Sequence, residues 1–248
     1  MIKVNGNVLQ TIPSAEGFDP NELQKRIFEV MKTSDAVYEY DNEKVLITEL
    51  RLRNSIVNAS RDLEASRFSF RVFRKSKANP DYWIRTPEGG FQLKSDLLPS
   101  DGIADIYRNS HLYGTECSTA MIIVLYKALL DVMPKENYNR MYSNIYLMNW
   151  NHLDRDLAII SYPSSKDELP GDGRYFINPD VDPLTPELQG ENVYYLGNGR
   201  YYGHGMGIAD AQTIIRNLNN ARKENATRSA YLLDSVKRQS YSYLSRFM

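Results

Sequence analysis

Apolar residues recur at helical spacing through the N-terminal part of the chain. Residues 21–34 (NELQKRIFEVMKTS) predict a short helix, and residues 42–66 predict a longer one. In the longer segment, four apolar positions share one face through a four-three-four spacing: Leu52, Ile56, Ala59 and Leu63. A third helix is predicted from about residue 100 to residue 110. This part of the chain should therefore pack through apolar helix faces.

Short runs rich in aromatic and β-branched residues indicate strands between and after these helices. They lie at residues 68–73, 82–94, 144–150, 157–162 and 174–178. The run 82–94 predicts a hairpin that turns at Pro87-Glu88-Gly89-Gly90. The chain is predicted to return to helix from Ala209 onward. With no low-complexity linker and no periodic repeat, the pattern predicts one α+β domain over residues 1–248, with helices at both ends.

Composition and charge exclude several classes of protein. A formal net charge of −1 argues against a nucleic-acid binder, which usually has a clear basic excess. The single cysteine excludes an internal disulfide framework and a cysteine-based zinc cluster. The N-terminus lacks the basic region and long apolar core of a secretory signal, and the most apolar run, residues 120–126, is too short to span a bilayer. We therefore expect a protein that folds in a cytosol.

That single cysteine, Cys117, lies where a polar loop meets a strongly apolar segment, in GTECSTAMIIVLYKALL. Thr115 is the predicted N-cap, which would place Glu116 and Cys117 in the first turn of a central, buried helix. Free N–H groups at a helix start lower the pKa of a thiol and can bind an oxyanion. The alternative is a small buried side chain without chemistry. Spacing alone leaves both interpretations open.

A second candidate element is the hairpin in GENVYYLGNGRYYGHGMGI, residues 190–208. If Asn198 and Gly199 form a two-residue turn, then Val193 faces His204, and Glu191 lies diagonal to His204 on the same face. A one-residue change in this register would put Glu191 and His204 on opposite faces. The hairpin and the helix together predict a Cys–His–acid site.

The residues around His204 are also informative. Glycines flank His204 on both sides, as though the backbone comes close to another group there. A structural histidine is the alternative interpretation. Glu116 should point away from the thiol, because adjacent helical residues diverge by about 100°. Its alternative role is that of an acidic residue favoured at a helix start.

These segments, together with GDGRYFINPDVDP, resemble the small spore-coat transglutaminases of Bacillus-type bacteria, and the resemblance extends over nearly the whole chain. It implies a compact papain-like α+β core in which the central helix carrying the cysteine packs on an antiparallel sheet. It also implies calcium-independent transfer of a glutamine acyl group to a lysine amine, without a metal or an organic cofactor. The implied catalytic residues are Cys117 as nucleophile, Glu191 as acid/base and His204 in the same site, with Glu116 as a possible substitute carboxylate.

The resemblance also implies partners, a location and a substrate groove. The expected partners are glutamine- and lysine-bearing spore coat proteins, met by a monomer in the mother-cell cytoplasm and then in the spore coat. Leu188 stands where the family has a tryptophan that would line the entry to the substrate groove, and it is expected at that position of the groove. Trp150, Tyr175 and Phe176 are the candidate aromatic residues that line the rest of the groove. Two other functions stay open: an amidase or cysteine peptidase that uses the same residues with water, and a catalytically inactive coat component.

Overall fold

A computed structural model describes all 248 residues of the chain. It contains seven α-helices: α1 (Glu22–Thr33), α2 (Glu43–Ala65), α3 (Pro99–Arg108), α4 (Cys117–Val132), α5 (Lys135–Met141), α6 (Ala211–Asn219) and α7 (Tyr241–Leu244). The strands are β1 (Ile2–Val4), β2 (Asn7–Val8), β3 (Tyr38–Tyr40), β4 (Ser69–Phe70), β5 (Trp83–Arg85), β6 (Phe91–Leu93), β7 (Gly114–Thr115), β8 (Tyr146–Leu147), β9 (Ile159–Tyr162), β10 (Gly173–Ile177), β11 (Gly190–Gly197), β12 (Arg200–Gly203), β13 (Gly207–Asp210), β14 (Tyr231–Leu232) and β15 (Val236–Gln239).

The main sheet has seven antiparallel strands. Its order is β13-β12-β11-β10-β15-β9, and β14 pairs with β10 beside this path. Three small sheets, β2-β1-β3, β4-β7 and β5-β6-β8, lie outside it. The main sheet therefore mixes strands from the middle of the chain with strands from its C-terminal region.

The helix α4 lies at the centre of the core, packed against α2 and against β11 of the main sheet. Twelve of its sixteen residues are buried, which follows from a sequence that is apolar on nearly every side. The Tyr194 hydroxyl of β11 donates to the backbone carbonyl of Met121 in α4, over 3.1 Å. This arrangement confirms the predicted α+β core with a central cysteine-bearing helix on an antiparallel sheet.

A buried charge network joins α2 to the main sheet. The Arg53 guanidinium, fully buried in α2, contacts Glu49 one turn away and Asp172 just before β10. Asp172 also pairs with Arg238 of β15. The pKa of the Asp172 carboxyl is lowered, because these arginines and their hydrogen bonds outweigh the cost of burial. The network fixes the helices relative to the strands that carry the candidate site.

The predicted helices agree well with the structure, because their signals are local. Asn21 caps α1 in a capping box with Gln24, and Asn42 caps α2. The hairpin predicted at residues 82–94 is β5 and β6. The predicted strands at residues 68–73 and 144–150 shorten to β4 and β8, each followed by a 3₁₀ turn.

The predicted helical tail from Ala209 fits α6 and the short α7, but it is wrong for residues 209–210, which belong to β13, and for the segment between the two helices. Residues 231–239 form β14 and β15, which pair with β10 and β9 across more than 50 residues of sequence. These strands form because they pair with residues far away in the sequence, and no local pattern predicts such pairing. None of the helices is both long and apolar enough to cross a membrane.

Candidate active site

Cys117 is the first residue of α4, and the residue before it caps the helix. The Glu116 carboxylate accepts hydrogen bonds from the backbone N–H groups of Ser118 and Thr119, over 2.6 and 2.7 Å, and also from both of their hydroxyls. The predicted cap at Thr115 is wrong by one residue, because Thr115 still belongs to β7. The N–H groups of Ser118 and Thr119, expected to be free for an oxyanion, are therefore already used.

The hairpin β11–β12 has the predicted turn but not the predicted register. Asn198 and Gly199 both have positive φ, 54° and 68°, and Gly197 faces Arg200 as expected. A β-bulge between Tyr195 and Gly197 then shifts the register by one residue, so that Val193 faces Gly203. The predicted pairing of Val193 with His204 is therefore wrong.

Glu191 is buried beside Gly203, with 3% of its surface exposed. A methyl group on Gly203 would approach Glu191 Oε1 to 2.7 Å, so the missing side chain makes the space for this carboxyl group. Glu191 Oε1 has no hydrogen-bond partner. Burial, and then the charge of Glu116, raises the pKa of the Glu191 carboxyl well above its ordinary value.

The Cys117 thiol is buried as well, and its pKa moves in the direction opposite to the prediction. Burial, then the charges of Glu191 and Glu116, raises the pKa of the thiol, while the backbone and side chain of Asn192 act to lower it. The helix start does not dominate, because burial and the charges of the two carboxyl groups act in the opposite direction. In the resting protein Cys117 is therefore a protonated thiol near a carboxyl group.

His204 is buried in an aromatic setting. Its ring centroid lies 4.9 Å from that of Phe68 and 6.0 Å from that of Phe70, and its Nδ1 lies 3.3 Å from the Tyr202 hydroxyl. Its Nε2 has no hydrogen-bond partner. Burial lowers the pKa of the imidazole to about 4, against a weaker opposing effect of nearby backbone groups of Ser69 and Thr115. His204 is therefore neutral at pH 7, and it makes no hydrogen bond to Cys117 or Glu191.

The expected close approach of backbone around His204 is confirmed on both sides. Gly203 makes room for Glu191, and Gly205, at φ +105°, lies where a methyl group would come within 2.7 Å of the Phe70 ring. The turn that carries His204 thus supports Phe70, which lines the cavity described next.

A cavity of about 900 Å³ opens in front of Cys117. Cys117, Glu116, Trp150 and Tyr175 line it, together with Phe70 and the segment 72–74 on another wall. Glu191 and His204 are too deeply buried to be part of its surface. The cavity is wide enough to admit an extended side chain of a protein substrate.

Two of the four predicted lining residues are placed elsewhere. Phe176 is fully buried in a second core with Tyr201, because it alternates in direction with Tyr175 along β10. Leu188 ends a 3₁₀ turn, and its neighbours Pro186, Glu187 and Gln189 line the cavity in its place. The prediction that Phe176 and Leu188 line the groove is therefore wrong, whereas Trp150 and Tyr175 do line it.

Asn192 is a site residue that sequence reasoning missed. Its Nδ2 lies 3.7 Å from Cys117 Sγ, and its Oδ1 accepts a hydrogen bond of 2.9 Å from Trp150 Nε1. No local pattern indicated it. Asn192 follows Glu191, so period-2 alternation puts the two side chains on opposite faces of β11, and only the pairing with Tyr175 across the sheet shows that Asn192 faces the cavity.

Lys237 is a second missed residue. Its Nζ lies 5.2 Å from the centroid of the Trp150 ring, and its side chain lines the same cavity. Burial lowers the pKa of its ammonium group. Lys237 lies in the tail that is predicted to be helical, so no local pattern indicated that it would reach the cavity.

Comparison with known proteins identifies relatives of this chain in sequence and in fold. The family model described as protein-glutamine gamma-glutamyltransferase matches residues 1–248. A protein of that name from Bacillus mycoides (strain KBAB4) is 43% identical over 231 residues, 93% of this chain and 83% of the relative. Another from Bacillus cereus (strain AH820) is 43% identical over 222 residues, 89% of this chain and 80% of the relative.

A solved structure, the transglutaminase from Geobacillus stearothermophilus without its C-terminal extension, is 50% identical to this chain with a TM-score of 0.80. The match covers 83% of this chain and 98% of the Geobacillus chain. The similarity therefore includes the fold as well as the sequence.

Proposed function

The chain belongs to the protein-glutamine gamma-glutamyltransferase family and is a transglutaminase, and we propose that it joins glutamine side chains to lysine amines through a thioester on Cys117. One observation supports this most directly. Cys117, the sole cysteine, lies at the surface of a substrate-sized cavity, and a buried carboxyl group, Glu191, is close enough to act on the pKa of its thiol.

The first half of the reaction is an acyl transfer to sulfur. The thiol proton passes to the Glu191 carboxylate, and Sγ attacks the carbon of the glutamine carboxamide. The carbon–nitrogen bond then breaks, and the nitrogen leaves as ammonia with the proton returned by Glu191. The product is a thioester between Cys117 and the glutamine side chain.

The second half repeats these steps with an amine. A neutral lysine amine attacks the thioester carbon and gives a proton to the same carboxylate. The carbon–sulfur bond breaks, the sulfur takes a proton, and an isopeptide bond remains. One carboxyl group therefore serves as base and as acid in turn, which requires a pKa nearer to neutrality than that of a solvated glutamate. The raised pKa of Glu191 supports its assignment to this role.

Competition from water is the main chemical difficulty of such an enzyme. A lysine amine with pKa near 10.4 is neutral in only about one molecule in two thousand at pH 7. Transfer wins over hydrolysis if the acceptor approaches along a surface that keeps water sparse. The aromatic faces of Trp150 and Tyr175 offer such a surface, and the Lys237 ammonium above the Trp150 ring illustrates that this face accepts a cation.

We propose that the reaction needs no calcium and no other cofactor. The support is the resemblance to calcium-independent transglutaminases, together with a reaction scheme in which Cys117 and Glu191 carry out every bond-making and proton-transfer step. Full activity in the presence of EDTA is the expected result. A loss that added Ca²⁺ restores would contradict it.

The natural substrates proposed are glutamine- and lysine-bearing proteins of the bacterial spore coat, joined by this enzyme acting as a monomer. The support is the resemblance of the segments around Cys117 and Glu191 to spore-coat transglutaminases. In a spore-forming host, a tagged copy should appear in the mother cell and then in the coat fraction. Isopeptide-linked coat proteins should be absent from a Cys117→Ser strain.

The decisive test supplies a glutamine-bearing protein whose lysines are blocked, with and without a fluorescent primary amine. Ammonia, incorporated amine and free glutamate side chains are measured together. Ammonia release with incorporated amine is expected, and Cys117→Ser should abolish both, because a serine hydroxyl has a far higher pKa than a thiol and gives up its proton to Glu191 much less readily. Ammonia and glutamate without incorporation would indicate a hydrolase. No ammonia, with Cys117 inert to iodoacetamide, would indicate an inactive coat component.

A further inference from the structure

The attack on a carboxamide creates a negative oxygen, and the structure leaves the donors for that oxygen unassigned. The N–H groups of Ser118 and Thr119 are occupied by the Glu116 carboxylate at 2.6 and 2.7 Å. They are therefore committed before any substrate arrives. The backbone N–H of Cys117 itself has no acceptor within the fold and can supply one donor. A second donor must come from outside the helix start, because a poorly compensated oxyanion in a buried site is costly.

Asn192 presents an N–H donor at the required place. Its Nδ2 lies 3.7 Å from Cys117 Sγ. A donor must come within about 2.7 to 3.1 Å of the developing oxyanion. That oxygen is attached to the carbon that the sulfur attacks, so an N–H group this close to the sulfur is within reach of it.

The orientation of the Asn192 amide is determined by Trp150. An asparagine amide can be turned over, so that its oxygen would face the sulfur and repel the oxyanion. The Trp150 indole N–H can only donate, and it lies 2.9 Å from the other end of the amide. The atom facing Trp150 is therefore the oxygen, and the NH₂ group must face Cys117.

We propose that the side-chain amide of Asn192 is an oxyanion donor in both acyl-transfer steps, and that the Trp150 indole N–H is the positioning group that points this amide at the sulfur. The proposal rests on the proposed transferase function. It adds one catalytic residue, Asn192, which contacts the reacting sulfur, and one positioning residue, Trp150. The same amide also favours the thiolate of Cys117, and the alkylation measurement below separates this effect from oxyanion stabilisation.

The role of Trp150 as a positioning residue can be separated from its role in lining the cavity. Trp150→Phe keeps an aromatic face in the cavity but removes the indole N–H. The amide of Asn192 then loses the bond that fixes its orientation. Asn217 supplies a matched control, because it is an exposed asparagine of α6 that lies outside the cavity.

The experiment compares the wild type with Asn192→Ala, Trp150→Phe, the double variant and Asn217→Ala. Two rates are measured for each: ammonia release in a single turnover with a glutamine-bearing protein, and alkylation of Cys117 by iodoacetamide as a function of pH. Alkylation forms no oxyanion. Its rate therefore reports whether the protein is folded and whether the Cys117 thiol is accessible and able to ionise. Melting temperatures are recorded for all variants.

Asn192→Ala should lower the rate of ammonia release about 10²- to 10³-fold, the scale for removing one oxyanion donor. The loss should appear in kcat rather than KM, because the bond forms only in the transition state. The rate of alkylation should fall much less. Any change in that rate should follow from a shift in the pKa of the Cys117 thiol, which the pH profile of alkylation measures. Trp150→Phe should show a smaller loss of the same kind, and the double variant should be no worse than Asn192→Ala.

Three results would overturn the proposal. One is ammonia release by Asn192→Ala at the rate of Asn217→Ala. Another is a parallel loss of alkylation and ammonia release, which would make Asn192 a residue that only maintains the thiol. The third is independent, additive losses from Asn192→Ala and Trp150→Phe. A wild-type protein that alkylates normally but releases no ammonia would instead refute the transferase function on which the proposal rests.

Discussion

The carboxyl group of Glu191 lies against the backbone of Gly203, where a single methyl group would approach Glu191 Oε1 to 2.7 Å and Cγ to 2.9 Å. The two residues lie on neighbouring strands of the hairpin β11–β12. The space that holds the proposed acid/base is thus made by the absence of a side chain on the next strand.

Gly203→Ala should therefore displace Glu191 and lower the rate of acyl transfer. We expect a loss approaching that of Glu191→Gln, about 10²-fold, measured as amine incorporation in a protein that still folds. The control is the double variant Gly203→Ala/Glu191→Gln. If Gly203 acts through Glu191, the double variant should be no slower than Glu191→Gln alone. Additive losses would show that Gly203 matters for another reason.

The two candidate carboxylates should behave differently when neutralised. Glu191→Gln should cost about 10²-fold or more in rate, the scale for a positioned acid/base. Glu116→Gln should cost much less in rate but about 1 kcal/mol in stability, because it weakens the cap of α4. Rates and melting curves of both variants provide the test. Equal losses of rate at matched stability would show that the cap carboxylate also takes part in the chemistry.

The raised pKa of Glu191 also predicts a dependence of stability on pH. The folded protein keeps the carboxyl proton at pH values above 4.5, where the unfolded chain has lost it. The folded state then binds more protons, so this group makes the free energy of unfolding fall as the pH rises above 4.5. Glutamine cannot ionise, so the melting temperature of Glu191→Gln should be higher than that of the wild type at pH 8 and equal to it at pH 4. The exposed Glu224→Gln is the control, and equal shifts in both would refute the raised pKa.

His204 should contribute to stability rather than to proton transfer near neutral pH. Its pKa of about 4 leaves it neutral, and its ring packs against Phe68. His204→Ala should lower stability by about 2 kcal/mol or more, while the apparent pKa values of the rate profile stay unchanged. The exposed His152→Ala should leave stability unaltered. Loss of a limb between pH 6 and 7 in the His204 variant would show that the imidazole titrates during catalysis.

The choice between amine and water should depend on the aromatic face at Trp150. Trp150→Ala should shift the products from isopeptide toward free glutamate, because the acceptor then approaches through water. Trp150→Phe keeps an aromatic face and should retain the wild-type ratio of products, even though its acylation is slower. The ratio is obtained by measuring ammonia and incorporated amine in the same sample. A wild-type ratio in Trp150→Ala would refute water exclusion by this residue.

Local chemistry was sufficient to predict a large part of this protein. The caps and apolar faces of α1 and α2, the apolar helix behind Cys117 and the Asn198-Gly199 turn all have signals within a few residues. Such signals are determined by backbone sterics and hydrogen bonding over one or two turns of chain. They were enough to predict an α+β core with a thiol at the start of its central helix.

Tertiary structure alone decided how the site is arranged. One bulge residue moved the partner of Val193 from His204 to Gly203, because every additional residue in a strand reverses the faces that follow it. Strand alternation alone puts Tyr175 and Phe176 on opposite faces of β10, but only the placement of the sheet decided that Tyr175 is the one that faces the cavity. Lys237 reached the cavity on a strand that long-range pairing creates.

The electrostatics of the site also depended on the whole fold. A helix start by itself lowers the pKa of a thiol, yet burial and the two carboxyl groups around Cys117 raise it. A pKa sums contributions from every neighbour in space, and those neighbours come from distant parts of the chain. The sequence by itself therefore determined that Cys117 and Glu191 are the candidate reacting residues. The packing of β11 against α4 decided their protonation states and brought Asn192 to the sulfur.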